Sequence, residues 1–238
     1  MSAIIEAYIT NLGRYNEGHL DGEYLKLPAT TEDVQALLNR IHVDGRQYEE
    51  IFITDYESPI SGLTSHLGEH DSIDELNYLA SLLDEMDTDG IAKFEAALAY
   101  GEHTSNIKGL INIAHNLDCY EFIPDISDND DLGRYYIEEL DTLAVPEHLT
   151  NYIDFEAYGR DMLLEDGGVF FNGGYVMDNR GSFVEHYSGR EDIPEECCIF
   201  AYPKAERQPI RETLKEMQRL VDEAAATPLA RPAVREER

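Results

Sequence analysis

Carboxylates outnumber basic side chains 49 to 18 in this chain of 238 residues, and any fold it adopts has to accommodate their mutual repulsion. The formal charge of −31 is not evenly spread. Residues 203–238 hold eight Lys and Arg and seven Asp and Glu, so residues 1–202 carry ten bases against 42 acids, a net of −32. A domain is kept soluble by a net charge of about 2 to 8 in magnitude, so roughly twenty further carboxylates cost stability with no gain in solubility. The bland explanation of charge runs is a solvated surface. An excess of this size points instead to selection for the field itself.

That field excludes nucleic acid and anionic membrane as partners, because gripping phosphate takes Lys and Arg that displace condensed counterions. A basic macromolecule is the expected partner. Apolar side chains make up 42% of the chain and aromatic ones 10%, enough for real cores in one large or two to three small domains. No run approaches the ~18 apolar residues of a membrane span, and MSAIIEAYIT lacks the basic lead and cleavage site of a secretory signal, so a cytoplasmic location is expected. Cys119, Cys197 and Cys198 have no CxxC spacing, which suits a reducing compartment and excludes a zinc ribbon.

Local patterns predict a mixed α+β chain. Ile4 to Thr10 and Tyr48 to Thr54 are β-branched and aromatic runs flanking the helical pattern Thr31 to Ile41, which Thr30 and Asp33 would start, with a turn at Asp44-Gly45. These form an N-terminal unit, residues 1–60. A helical unit over residues 61–103 follows a linker at Tyr56 to Gly62. In it Ser72 and Glu75 make a capping box, Leu76, Leu79, Ala80 and Leu83 line one face, and Gly101 stops a second helix from Asp89 to Tyr100. Residues 104–202 read as an α+β unit. It has helices at Ser105 to Asn116 (Ile107, Leu110, Ile111 and Ala114 inward), Asp131 to Leu143 and Glu147 to Leu164, a hairpin turning at Asn172-Gly173, and a third strand at Ser182 to Tyr187. In the tail, 203–238, Ile210, Leu214, Met217 and Val221 form a short helical seam that could pair across a dimer or pack on its own body beside Arg211, Lys215 and Arg219. The Ala/Pro/Arg-rich end from Ala224 is expected to be mobile.

Four stretches imitate catalytic or metal motifs. His66-Leu67-Gly68-Glu69-His70 fits HxxEH, but Gly68 within the turn and the helix start at Ser72 favour a loop. Glu85 to Gly90 resembles the opening of a calcium loop, yet Ala96 stands where the closing Glu belongs, so a helix–helix turn with an acidic cap is expected. In Asp128 to Glu139 the closing Glu is present, but Leu132 occupies a ligand position. Gly168 to Gly173 has phosphate-loop spacing, with Gly174 and Tyr175 in place of the Lys and hydroxyl residue. Nothing here organises a reaction, and no catalytic residue, cofactor or metal ligand is assigned.

The charge itself has the scale of a DNA footprint. Duplex DNA carries one charge per roughly 1.7 Å, so −32 laid along one path matches about 54 Å, or about 16 base pairs. A two-fold dimer would double this to about 32 base pairs. NLGRYNEGHLDGEYLKLPAT and YEEIFITDYE near the N-terminus, and LLEDGGVFFNGGYV at Leu163 to Val176, resemble the ArdA family of antirestriction proteins over about residues 3–187. The resemblance implies an elongated α+β protein of three small domains that dimerises through its C-terminal domain and displays carboxylates in place of DNA phosphates. It implies, too, that the chain occupies the DNA-binding groove of type I restriction-modification enzymes by engaging their modification and specificity subunits. Such proteins are carried on mobile genetic elements and protect incoming DNA without catalysis.

Carried onto this chain, the family's motif puts Leu163, Leu164, Val169, Phe170, Phe171, Asn172, Gly173, Gly174, Tyr175 and Val176 at or beside the dimer interface, the alternative being a hairpin packed on its own domain. The densest candidates for phosphate mimicry are Asp74, Glu75, Asp84, Glu85, Asp87 and Asp89 in the central unit and Asp125, Asp128, Asp130, Asp131, Glu138 and Glu139 in the C-terminal one. Some of these would cap helices or pair with Arg134 and Lys93 instead. Two other classes remain: an acidic decoy or chaperone for another basic DNA-binding protein, and a metal-dependent hydrolase using His66 and His70.

Overall fold

Alternation in Ile5–Asn11 sends Ile5, Ala7 and Ile9 to one face, and in the computed structural model, which describes residues 3–203, this run is strand β1. It is the middle strand of an antiparallel sheet of order β2-β1-β3, with β2 at Gly22–Leu27 and β3 at Ile51–Glu57. Ile5 pairs with Leu27, Ala7 with Leu25 and Ile9 with Ile53, so one face is mostly apolar, with Glu23 and Asn11 at its end. A five-residue helix α1, Leu12–Asn16, follows β1, and α2, Thr31–Arg40, buries Val34, Leu37 and Leu38 against the apolar cluster. The expected start of α2 is present: the Thr30 hydroxyl accepts from Asp33 N–H at 3.2 Å, and the Asp33 carboxylate accepts from Thr30 N–H at 3.0 Å.

Helices α3 (Ile73–Asp84), α4 (Thr88–Tyr100) and α5 (Ile107–His115) come next. Leu76, Leu79, Ala80 and Leu83 are all buried, as their spacing predicts, and Gly101 at φ 89° ends α4. The capping box at Ser72 does not form. Ser72 makes no side-chain cap bond, and Glu75 turns inward to accept from the Tyr187 hydroxyl at 2.8 Å and Arg190 Nε at 3.2 Å. In α5, Ile107, Leu110 and Ile111 are buried as expected, but Ala114 only borders the cluster and Ile113 is buried in addition.

The second sheet, of order β4-β6-β5, joins β4 (Tyr120–Pro124), β5 (Val169–Phe171) and β6 (Gly174–Asp178). Its third strand is β4 and not the expected Ser182 to Tyr187. Between β4 and β5 lie α6 (Asn129–Arg134), extended by one π turn over Tyr135–Glu139, and α7 (Phe155–Asp166). The expected helix to Leu143 thus stops at Glu139. The expected helix Glu147 to Leu164 is split into a 3-10 turn, Glu147–Tyr152, and α7, because Asp154 caps α7 by accepting from Ala157 N–H at 3.0 Å. Helices α6 and α7 touch backbone to backbone: a Cβ on Gly159 would lie 1.8 Å from the Asn129 carbonyl oxygen, and one on Gly133 2.0 Å from that of Phe155.

One apolar cluster runs from Ile5 through Leu76, Leu110 and Val176 to Ile199, and a second gathers Ile126, Leu132, Tyr136 and Tyr175. Residues 179–203 return as a strap along α5 and α3 to the first sheet's end of the molecule. Polar side chains hold it: Asn116 donates to Val184 C=O and accepts from Val184 N–H, both at 2.8 Å, and Asn112 does the same with Tyr187 at 2.8 and 3.0 Å. Asp74 accepts from the N–H groups of Ile199 and Phe200, both at 2.7 Å, and the Tyr202 hydroxyl donates to Glu49 C=O at 2.9 Å. The seam at Ile210, Leu214, Met217 and Val221 lies outside the described residues.

Asn112 is 4% exposed and serves two strap backbone groups through buried hydrogen bonds. Asn112→Ala should cost about 2 to 3 kcal/mol in urea unfolding. A midpoint unchanged from the parent would show that the strap is not held there.

Candidate functional site

Of the ten Lys and Arg in residues 3–203, six are held by carboxylates. Arg14 pairs with Asp21, Lys26 with Glu6 at 3.4 Å, Arg40 with Glu23 through two bonds of 2.7 and 2.9 Å, and Lys108 with Glu185. Arg134 takes Asp130 at 2.7 Å and Glu138 at 3.7 Å, and Arg190 takes Glu75. The Arg40 fork holds the Glu23 carboxyl below its usual range. Six of the ten cations are thus engaged by neighbours, and most acids of the described residues have no basic side chain of these residues beside them.

Of the twelve singled-out acids, two face inward. Glu75 is 8% exposed beneath Tyr187, and half-buried Asp74 anchors the strap. Asp84, Glu85, Asp87 and Asp89 are exposed together around the turn from α3 to α4, where the calcium-like stretch is the expected acidic cap: Asp87 accepts from Gly90 N–H at 2.8 Å. Asp125, Glu138 and Glu139 are exposed. Asp128 caps α6 by accepting from Asp131 N–H at 3.0 Å, while Asp131 accepts from the Ser127 N–H and hydroxyl, which lower its pKa, and Asp130 pairs with Arg134. Exposed acids that sequence reasoning passed over include Asp55 and Glu57 on β3 and Glu156, Asp161 and Glu165 on α7. Their signal was available, since they occupy outward positions of a strand and an amphipathic helix.

The stretch Leu163 to Val176 closes α7 and turns through the hairpin, with Asn172 at φ 50° and Gly173 at φ 77°, the two left-handed residues a tight turn of this kind demands. The sheet is covered on both sides. Val176, Val169 and Phe171 pack on the first cluster, whereas Tyr175, Phe170 and Leu163 pack on the second. Tyr175 and Val176 are both 0% exposed, so their side chains are taken up inside the chain. Gly174 is also buried, and a Cβ there would lie 2.4 Å from the Phe122 ring. Burial and nearby Asp166 push the Tyr175 and Tyr136 hydroxyls up. Asn172, Gly173 and Leu164 face outward, and Leu164, 77% exposed, belongs with Leu140, Leu143, Leu149 and Tyr152 to a run of exposed apolar side chains between residues 140 and 164.

His66 closes a 3-10 turn, Leu63–His66, and exposed His70 lies beyond Gly68, so the two do not stand one α-helical turn apart. Among the described residues no three His, Cys, Asp or Glu side chains are grouped to hold a metal ion. The stretch with phosphate-loop spacing is the β5–β6 hairpin.

A family model for antirestriction protein (ArdA) matches residues 7–177. The chain belongs to the ArdA antirestriction family. Members of the family are antirestriction proteins and are not known as enzymes. The match to ArdA ends within β6, so the strap of residues 179–203 lies beyond it. No match was found among curated proteins. Among the described residues no helix is long and apolar enough to cross a membrane.

An ArdA chain with 42 acids against ten bases in residues 3–203 should be stabilised by screening. Raising NaCl from 0.02 to 0.3 M, estimates that span Debye lengths from about 20 Å to about 6 Å, should raise the melting temperature. Each 1 kcal/mol of relieved repulsion is worth about 2 to 4 °C. A flat or falling melting temperature would mean that ion pairs outweigh repulsion.

Proposed function

We propose that the chain is a DNA mimic that occupies the DNA-binding groove of type I restriction-modification enzymes and so blocks restriction of incoming DNA. The observation that carries this reading, beside membership of the ArdA family, is the pairing of the cations. With Arg14, Lys26, Arg40, Lys108, Arg134 and Arg190 engaged by neighbours, the outward field comes from carboxylates such as Asp84, Glu85, Asp87 and Asp89. A groove lined with Lys and Arg for phosphates would meet carboxylates of the same sign as those phosphates. The partner is the modification and specificity assembly, and the protein acts in the cytoplasm, where incoming DNA meets that enzyme. No cofactor and no reaction are required.

The active species is a homodimer. Leu164 and the exposed apolar side chains from Leu140 to Tyr152 support placing its interface on the C-terminal part of the chain, beside the Asn172-Gly173 turn. Tyr175 and Val176 would then support the interface from beneath, since neither reaches the surface.

Unmodified phage should plate at restored efficiency on a type I restricting host that expresses the protein, with no change on a type II restricting host. A single reversal such as Asp87→Lys should alter this little, whereas reversing Asp84, Glu85, Asp87 and Asp89 together should weaken it steeply. Restriction that persists with soluble protein present would move the target to another basic DNA-binding protein.

Leu164→Asp should shift sedimentation toward the monomer at low micromolar concentration with the unfolding midpoint kept. A folded variant that stays dimeric would remove Leu164 from the interface.

A further inference from the structure

The first sheet has one mostly apolar face and an outer face that α1 meets only at one end, where Tyr15 stands edge-on to Phe52 with centroids 5.2 Å apart beside buried Thr10. Pleating sends Glu6 and Tyr8 of β1, Gly22, Tyr24 and Lys26 of β2, and Asp55 and Glu57 of β3 to that outer side, and all of these are exposed or partly exposed. The register of β1 on β3 slips between Tyr8 and Ile9, which gives β3 one extra residue, and Thr54 and Asp55 are consecutively exposed there. The slip sets Asp55 opposite Tyr8 and aims its carboxylate at the Tyr24 hydroxyl, which donates to it at 2.6 Å and lies 3.3 Å from Glu57.

The two rings are held as firmly as the acids. Tyr24 stands edge-on to Tyr8, centroids 4.9 Å apart at 80°. Tyr8 lies over Gly22, where a Cβ would come within 2.4 Å of the ring, so a glycine is what lets this tyrosine rest on β2. The one cation of the face, Lys26, is engaged by Glu6 at 3.4 Å.

Fixed aromatic surface beside fixed carboxylates is the environment that favours a guanidinium group over an ammonium group, because a planar, weakly hydrated cation can stack on the ring while its fork of N–H groups meets the acids. Charge complementarity selects the occupant: a body of net −32 draws a basic protein, and this face discriminates among basic side chains. We propose that the open part of the outer face of the β2-β1-β3 sheet, built on Tyr8, Tyr24, Asp55 and Glu57, is a docking surface for an arginine-bearing segment of the basic partner protein. The proposal rests on the reading that the partner is a basic DNA-binding protein, and adds a preference that carboxylates mimicking phosphates would not by themselves create.

Octa-arginine and octa-lysine, matched in length and charge, serve as probes of the full chain by calorimetry at physiological salt. Octa-arginine should bind more tightly, by about two- to fivefold for each ring engaged. Tyr8→Leu with Tyr24→Leu should bring it down to the octa-lysine level and leave octa-lysine unchanged, with folding verified by urea unfolding. Should that double variant fail to fold, Tyr24→Leu alone against Tyr24→Phe gives the same comparison, since Phe keeps the ring. Equal binding of the two peptides by the parent chain, or an arginine preference that survives loss of the rings, overturns the proposal. A folded ring variant without the preference that still protects phage fully also overturns it and leaves the antirestriction reading standing. A parent chain that prefers arginine but fails to protect phage sinks the antirestriction reading instead.

Discussion

Every carboxylate that the fold draws inward in residues 3–203 must meet a donor, and these residues supply ten cations for 42 acids. That shortage decides which acids enter the structure and how. Glu75, the one acid that is deeply buried, has a tyrosine hydroxyl and an arginine on its two oxygens. Asp74, Asp87, Asp128 and Asp154 use backbone N–H groups instead, at helix starts or at the strap, where partial positive charge is free of any requirement for Lys or Arg. Amide donors thus stabilise carboxylates without cancelling their charge. The fold can keep its acids ordered and its net charge high together.

The same scarcity explains why neutral side chains fasten the strap. Asn112 on α5 and Asn116, which caps its C-terminal end, sit four residues apart and each presents both a donor and an acceptor to one strap residue, in the manner of a neighbouring strand. An ion pair at those positions would have drawn on a scarce supply of cations, and would have carried the larger desolvation cost of a buried charge. The strap joins elements far apart in sequence across a surface that repulsion would otherwise drive open. Residues beyond the ArdA match therefore carry part of the holding of the matched residues.

Features legible in the sequence were those written over a few residues. The apolar spacing of Leu76, Leu79, Ala80 and Leu83, the Thr30–Asp33 cap, the stop at Gly101 and the Asn172-Gly173 turn each depend on neighbours within one or two turns of chain. Misreadings arose where a distant partner outcompeted a local one. Glu75 satisfied a cap pattern with Ser72 but bonds Tyr187 and Arg190, more than a hundred residues away. Ser182 to Tyr187 has strand-like composition, yet its backbone groups go to asparagines on α5 while β4 takes the place beside β6. Strand β2, GEYLKL, was passed over because its outward side carries Gly22 and Lys26, and only the register with β1 shows what the glycine is for.

For the acids the division was different. Composition shows how many there are and, through the ten-to-42 imbalance, that most must remain unpaired. It does not show which, because a carboxylate at a helix start can either cap the helix or stand clear of it at nearly equal energy. Asp84, Glu85, Asp87 and Asp89 show how little the distinction weighs: Asp87 caps α4 and is still exposed. A field summed over many such groups is insensitive to the assignment of any one of them. A sheet face that distinguishes arginine from lysine is not, since it depends on two rings, one glycine and one bulge in a single register. In this fold the long-range attraction is redundant, and any selectivity at contact has to come from the few positions that are not.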